Sequence, residues 1–123
     1  SKAAWPPLDR AAIAGHVRAG RTVFVDVTAD WCITCQVNKR LVLDAEAVHR
    51  ALGDKQVVLM RGDWTRPDPT IAAYLASFGR YGIPFNAVYG PRAPDGVALP
   101  ELLSQEGVLD ALAKARQPAV AAK

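Results

Sequence analysis

Two cysteines, Cys32 and Cys35, are the residues of this 123-residue chain whose type and spacing could carry chemistry. They are its only cysteines, and they lie three residues apart in the stretch VDVTADWCITCQVNKR. A pair at this spacing serves as a structural cross-link, as part of a metal site or as a redox centre that opens and closes. The cross-link is the weakest of these interpretations, because a bridge over so short a loop stabilises a fold little.

A metal site would need more ligands than the two cysteines supply, since structural zinc takes four. The two histidines, His16 and His49, fall on different predicted helices. Copper(I) accepts two thiolates, but Met60 is the only methionine that could add a further sulfur ligand. We therefore predict no cofactor beyond a redox-active Cys32–Cys35 disulfide, and a non-catalytic copper- or zinc-binding module is the less favoured alternative.

The predicted position of Cys32, where a strand runs into a helix, suits a sulfur nucleophile. Free N–H groups and the helix dipole at that end favour a thiolate, which is the reactive form in thiol–disulfide exchange. Cys35 lies about one helical turn further on, close enough to bond to Cys32 and shielded from large partners. Cys32 is therefore predicted to attack a partner disulfide, and Cys35 to resolve the mixed disulfide that forms.

An acidic residue, Asp26, interrupts the apolar run VFVDV six residues before Cys32. Burial of a carboxyl group raises its pKa, and strand alternation places Asp26 on one face with Phe24 and Thr28. The favoured interpretation is that Asp26 takes and returns the proton of Cys35 during exchange. The alternative is a buried carboxyl group that is hydrogen-bonded to backbone or water and has no part in the reaction.

Five further residues near the cysteines are candidates for supporting or partner-binding roles: Asp30, Trp31, Ile33, Thr34 and Lys39. Trp31 either covers the sulfur pair, presents a flat contact surface or simply packs. Asp30 would oppose the thiolate if it were close, and otherwise is a solvated loop charge. Lys39 follows Cys35 by one helical turn and is interpreted as a solvated helix residue rather than a cysteine partner.

The elements that must position these residues alternate along the chain. Strands are predicted over residues 22–28, 56–61 and 85–89, with a short edge strand at 97–99, and helices over residues 10–19, 32–42, 45–52, 69–78 and 104–115. Predicted helix caps are Asp9, Asp44 and Asp68, predicted helix ends are Gly20, Gly53 and Gly79, and predicted turns lie at 82–84 and 94–96. This order predicts an α/β fold with a central mixed sheet flanked by helices on both faces. The first two strands would be central, buried and parallel, and the last two antiparallel.

Composition and charge suit one soluble globular domain. Half of the residues are hydrophobic and 22% are charged, and no apolar run approaches the ~20 residues that cross a bilayer. The net charge is +3, but the basic residues are scattered, so nucleic-acid binding is not expected. A single domain is predicted over residues 1–123, with extended or flexible ends at 1–7 and 116–123, and those ends look like the limits of a piece cut from a longer protein.

Several motifs resemble those of one known family. The stretch VFVDVTADWCITC resembles the active site of the thioredoxin superfamily, and Gly82-Ile83-Pro84 resembles its cis-proline loop. The motifs ADWCITCQVNK, DWTRPDPTIAAYLASFGRYGIPFNAVYG, LPELL and VLDAL, within residues 22–115, are similar to the C-terminal thioredoxin-like domain of the DsbD family. That family of membrane-embedded thiol:disulfide reductases includes the related ScsB proteins.

The resemblance implies a thioredoxin fold and a protein-disulfide reductase in the periplasm, present as a soluble domain of an inner-membrane protein. A transmembrane domain of the same protein would donate electrons. Its N-terminal domain or periplasmic thiol–disulfide proteins would accept them, with a link to cytochrome c-type biogenesis. A periplasmic dithiol oxidase or isomerase is the alternative, and it differs only in redox potential. The isolated domain is expected to be a monomer.

The proline loop contributes three residues that the resemblance implies for partner binding: Ile83, Pro84 and Phe85. The chain departs from the family at two points. Lys39 stands where some members carry a glutamate, and a lysine there would favour the Cys32 thiolate. Phe85 and Asn86 follow the proline where a small or aliphatic pair is common, which bears on partner choice.

Overall fold

A computed structural model describes residues 5–116, and most of the two predicted extended or flexible ends lies outside this part. The strands are β1 (Thr22–Thr28), β2 (Val57–Asp63), β3 (Phe85–Gly90) and β4 (Ala93–Ala98). The helices are α1 (Arg10–Arg18), α2 (Ile33–Asn38), α3 (Glu46–Leu52), α4 (Pro69–Ala76) and α5 (Gln105–Ala115), and α2 continues as a π-helical segment, Lys39–Leu43. No helix among residues 5–116 is long and apolar enough to cross a membrane.

The four strands form one mixed sheet in the order β2-β1-β3-β4. β1 pairs in parallel with β2 and antiparallel with β3, and β3 pairs antiparallel with β4. The predicted α/β architecture is thereby confirmed. β1 is the buried interior strand that its apolar run predicts, and only Thr28 at its end is partly exposed.

β2 differs from its prediction as a buried central strand, because it lies at the edge of the sheet and is only partly buried. Residues 6–8 cover part of this edge: the Arg61 N–H donates to the Pro6 carbonyl at 2.7 Å, and the Leu8 N–H donates to the Arg61 carbonyl at 2.9 Å. The apolar sequence of a strand does not show whether the segment beside it in the sheet is a full strand or a short extended stretch.

Each face of the sheet buries its own hydrophobic cluster. The face covered by α1 and α4 contains Ile13, Val17, Val23, Val25, Val27, Met60, Ile71, Tyr74, Leu75, Phe85, Ala87 and Tyr89. The opposite face, covered by the π-helical segment, α3 and α5, contains Phe24, Val42, Leu43, Val48, Leu52, Val88, Leu99, Leu103, Val108, Ala111, Leu112 and Ala115. Alternation along β1 thus places Asp26 on the second face, beside Phe24.

Local sequence signals set some helix ends and miss others. Asp68 caps α4 as predicted, accepting from the N–H groups of Thr70 (2.9 Å) and Ile71 (3.2 Å). Asp44 is not at the N-cap position of α3, because α3 begins only after Ala45, and the Asp44 carboxylate binds the Lys39 ammonium at 2.9 Å.

Three other predicted boundaries or faces also differ from the structure. Asp9 precedes α1 but makes no side-chain capping hydrogen bond. The predicted turn at 94–96 lies within β4, where the exposed outer edge of the sheet tolerates a proline. On α5, Val108 is fully buried, whereas Leu109, predicted to face inward, is only partly buried.

Asn38 joins the end of α2 to the segment that leads into α5. Its amide donates to the Glu101 carbonyl at 2.7 Å and accepts from the Leu103 N–H at 3.0 Å. Asn38→Ala should therefore lower the free energy of unfolding by about 2–3 kcal/mol, because two backbone groups lose their partner. Urea denaturation measures this, with the exposed Arg40→Ala as a control. A loss no larger than that of the control would contradict the bridging role.

Candidate redox site

The two cysteines lie at the junction between β1 and α2. Cys32 occupies the N-cap position of α2 in an extended conformation, and its Sγ accepts a hydrogen bond from the Cys35 N–H at 3.1 Å. The two residues form a disulfide, and each is only 6% exposed. The predicted juxtaposition of the sulfur atoms at a helix start is therefore present. Among residues 5–116, no group of three or more His, Cys, Asp or Glu side chains is arranged to hold a metal.

Asp26 forms the centre of a polar row that crosses three strands. The strand register pairs it with Arg61 of β2 on one side and with Asn86 of β3 on the other. Asn86 Nδ2 donates to Asp26 Oδ1 at 2.9 Å, and Arg61 Nε lies 3.5 Å from Asp26 Oδ2. Burial raises the pKa of Asp26 above the ordinary aspartate value, while the Arg61 charge and the Asn86 hydrogen bond counteract part of that rise.

Arg61 is held beside Asp26 by the N-terminal segment. Its guanidinium carbon lies 4.5 Å from the centroid of the Trp5 ring, a cation–π contact. Its Nε is buried and has no hydrogen-bond partner among the described residues. The contact with Asp26 is therefore an ion pair without hydrogen-bond geometry.

A cleft of about 310 Å³ is lined by both Asp26 and Cys35. Its lining comprises Asp26, Thr28, Ala29, Asp30, Cys35, Gln36, Lys39, Arg61 and Asp63. Asp26 and Cys35 therefore border the same cleft, as proton transfer between them through a water molecule would require. Lys39 also reaches the cleft, but its ammonium is bound to Asp44 rather than to a cysteine.

The loop before Cys32 is fixed by the DWT segment that follows β2. The Asp30 N–H donates to Thr65 Oγ1 at 2.9 Å, and Trp31 Nε1 donates to the Thr65 carbonyl at 3.0 Å. Thr65 Oγ1 in turn donates to the Asp63 carboxylate at 2.6 Å, and this bond lowers the pKa of Asp63. The Trp31 side chain is anchored through its N–H and leaves 61% of its surface exposed, and its role as a contact surface stays a prediction.

Of the other supporting residues, some are exposed and some are buried. Ile33 and Thr34 are exposed beside Cys32, and Ile83 packs against both cysteines. Pro84 is buried, and the Ile83–Pro84 peptide bond is cis, as the resemblance implies.

Phe85 is placed differently from the expectation of partner contact. Its side chain is fully buried, with its ring centroid 5.8 Å from that of Tyr74 and 5.0 Å from that of Phe78. Strand alternation explains this, because Phe85 points to the α4 side of the sheet. Tyr81, 79% exposed two residues before Ile83, is an aromatic residue near the loop that the sequence-based reasoning did not single out.

Arg61 and Thr65 were also missed as site residues, and Asn86 was noted only for partner choice, not as a neighbour of Asp26. For Asn86 a signal existed, since a lone polar residue in the apolar run FNAVY raises the same question as Asp26. For Arg61 and Thr65 the role depends on strand pairing and loop contacts, which one sequence does not reveal.

Comparisons with known proteins agree with this geometry. Residues 5–91 match a family model described as thioredoxin-like. The chain is 35% identical over 86 residues to the thiol:disulfide interchange protein DsbD of Ralstonia nicotianae, covering 68% of this chain and 14% of that protein. It is 35% identical over 81 residues to DsbD 1 of Pseudomonas aeruginosa, covering 66% of this chain and 13% of that protein.

Solved structures give the same result for the fold. The oxidised C-terminal domain of Neisseria meningitidis DsbD superposes with a TM-score of 0.60 at 27% identity, covering 81% of this chain and 86% of that one. A thioredoxin from Thermus thermophilus superposes with a TM-score of 0.64 at 23% identity, covering 89% of this chain and 83% of that one.

Proposed function

The chain belongs to the thioredoxin-like family, and from this we propose that it is a protein-disulfide reductase domain that relays electrons between protein partners through Cys32 and Cys35. The predicted thioredoxin fold and the resemblance to DsbD are confirmed by the comparisons. A CxxC disulfide at the start of α2 on this fold is the centre of a thiol–disulfide oxidoreductase. That observation carries the proposal.

The relay role is the finer part of the proposal. Its support is the name of the relatives, thiol:disulfide interchange protein, together with the small fraction of their length, 14% or less, that this chain spans. A transmembrane domain of the same protein would donate electrons, and an N-terminal domain or periplasmic thiol–disulfide proteins would accept them. The domain would then lie in the periplasm. The disulfide itself would be the only redox group that it needs.

The proposed reaction begins with the reduced domain. The Cys32 thiolate attacks one sulfur of a partner disulfide, the partner's S–S bond breaks, and the released partner thiolate takes up a proton. The Cys35 thiol gives its proton to the Asp26 carboxylate, and the Cys35 thiolate attacks Cys32 Sγ. The second partner sulfur leaves as a thiolate and takes up the proton that Asp26 had accepted, which restores the Asp26 carboxylate. The partner has then gained two electrons and two protons, and the domain holds the Cys32–Cys35 disulfide.

Cys35→Ala should trap the partner. Cys32 can still attack, but no second thiol resolves the product, so a mixed disulfide through Cys32 should accumulate. Reduced Cys35→Ala mixed with a disulfide-containing protein should give a covalent adduct on a non-reducing gel that dithiothreitol dissolves. The double variant Cys32→Ala/Cys35→Ala is the matched control. An adduct that formed equally in the double variant would contradict the assignment of Cys32 as the attacker.

The direction of electron flow is tested by the redox potential. A value near the reducing range, roughly −270 mV, would support the reductase, whereas a value near roughly −120 mV would favour the oxidase or isomerase. Equilibration of the Cys32–Cys35 pair with glutathione or dithiothreitol buffers measures it directly.

A further inference from the structure

We propose that Asn86 is a positioning residue for proton transfer, whose amide holds the Asp26 carboxylate ready to accept the Cys35 proton. The inference rests on the proposed function, in which Asp26 serves Cys35.

The sheet register brings the two side chains together. Asn86 and Asp26 are directly paired across the antiparallel ladder of β1 and β3, so both project from the face that carries the cysteine helix. Asn86 is 1% exposed, and its Nδ2 lies 2.9 Å from Asp26 Oδ1 and 3.2 Å from the Val25 carbonyl oxygen. A buried amide with two such contacts is fixed in place.

The Val25 carbonyl determines which way the amide points. A backbone carbonyl only accepts hydrogen bonds, so the NH₂ end of Asn86, not its oxygen, must face Val25. The second amide hydrogen is then directed at Asp26 Oδ1. A donor held in this way bonds more strongly to a carboxylate than to a protonated carboxyl group, and so it favours the form of Asp26 that can accept a proton.

The two oxygens of Asp26 consequently have different surroundings. Oδ1 is occupied by Asn86, while Oδ2 lies 3.5 Å from Arg61 Nε, and Asp26, Arg61 and Cys35 all line the same cleft. The other titratable or charged groups that line this cleft are Asp30, Cys35, Lys39, Arg61 and Asp63. Lys39 is bound to Asp44 and Asp63 to Thr65. Because Asn86 occupies Oδ1, acceptance of the Cys35 proton is assigned to Oδ2.

Removing the donor should therefore move the titration of Asp26. Burial raises the Asp26 pKa, and Arg61 and Asn86 oppose that rise, so the loss of Asn86 leaves the pKa higher. More Asp26 is then protonated at neutral pH and unable to accept a proton. Resolution of the mixed disulfide should slow at neutral pH and recover as the pH is raised.

The decisive variant is Asn86→Leu, which keeps the branching and the number of heavy atoms of the side chain and removes the donor. In the oxidised protein the cysteines are bridged and do not titrate, so ¹³C NMR of the carboxyl groups reports Asp26 itself. We expect the Asp26 titration midpoint to move to higher pH, and the reduction of a protein disulfide to slow roughly threefold to tenfold at neutral pH. An unchanged midpoint in a folded variant would overturn the proposal.

Three further variants separate positioning from a general loss of structure. Asn86→Ala repeats the test if leucine prevents folding. Asn38→Ala removes a buried asparagine whose bonds go to Glu101 and Leu103, so it should destabilise the domain without moving the Asp26 midpoint. In the double variant Asp26→Asn/Asn86→Leu, disulfide reduction should be no slower than in Asp26→Asn alone. Further slowing would show that Asn86 acts through a group other than Asp26.

The outcomes also distinguish this proposal from the one on which it rests. If the wild-type domain reduced no disulfide, the proposed function would fail, yet the NMR titration would still report the effect of Asn86 on Asp26. If the domain reduced disulfides through Cys32 but the Asp26 titration midpoint were unchanged in Asn86→Leu, only the positioning role of Asn86 would fail.

Discussion

Cys32→Ser should abolish the reduction of protein disulfides by the domain, with the rate falling at least about a thousandfold. A serine hydroxyl is not ionised at neutral pH and cannot form the S–S bond of the mixed disulfide, so the first step has no nucleophile. The measurement is the stopped-flow rate of thiol transfer from the reduced domain to a disulfide-bonded protein, followed by the fluorescence or mobility of that protein.

The fold should survive this change. The Cys32–Cys35 bridge closes a loop with a sequence separation of only 3, so its loss constrains the unfolded chain little. Cys35→Ser provides the matched comparison, because it should retain the first attack and lose the release of product. If Cys32→Ser kept a rate within about tenfold of the wild-type rate, Cys32 would not be the attacking residue.

The second large effect is expected from Asp26→Asn, which should slow thiol–disulfide exchange by up to about a hundredfold at neutral pH. An amide cannot take the Cys35 proton, so Cys35 must lose it to water through the cleft instead. The slowing should shrink as the pH is raised, because Cys35 then ionises without help. The measurement is the exchange rate as a function of pH for both proteins, with Asp110→Asn, an exposed change on α5, as the control.

Asp26→Asn should also alter stability, and the sign follows from the direction of the pKa shift. Because the pKa of Asp26 is raised in the folded state, the folded protein holds this proton more tightly than the unfolded chain does. Stability is therefore greatest below the ordinary aspartate pKa and declines as the pH rises through the raised folded value. The asparagine variant lacks this decline.

Urea denaturation of the oxidised proteins at about pH 5 and about pH 8 tests that prediction. The stability of Asp26→Asn relative to the wild type should be greater at the higher pH. If the difference in stability between the two proteins were the same at both pH values, and the exchange rates were unchanged across pH, Asp26 would have only a structural role.

Sequence reasoning succeeded where the determining interactions are local. The apolar run of β1, the cysteine pair at the start of α2 and the Asp68-Pro69 start of α4 each depend on neighbours within one turn or one strand. The cap predicted at Asp44 is displaced by one residue, because the N-cap position of α3 is Ala45. Helix boundaries of this kind are defined by local signals only to within one or two residues.

The polar row beside the cysteines could be predicted only in part. Asp26 stood out because a carboxylate in an apolar strand is costly. Its two neighbours, Arg61 and Asn86, are set by the alignment of β2 and β3 with β1, and a shift of one residue would turn both side chains to the opposite face. That alignment depends on the packing of the whole sheet, which the spacing of residues in one sequence does not encode.

The two outer margins of the sheet bear on how the domain behaves at high concentration. Exposed strand margins recruit other chains and lead to aggregation. On the β2 side, residues 6–8 already occupy the backbone groups of Arg61. On the β4 side, Pro94 lacks an N–H, and Gly96 adopts a positive φ of 89° that breaks the extended ladder. Contacts between copies of the domain should therefore not extend into continuous sheets. Partner proteins should instead bind at the end of the molecule where the sulfur atoms lie.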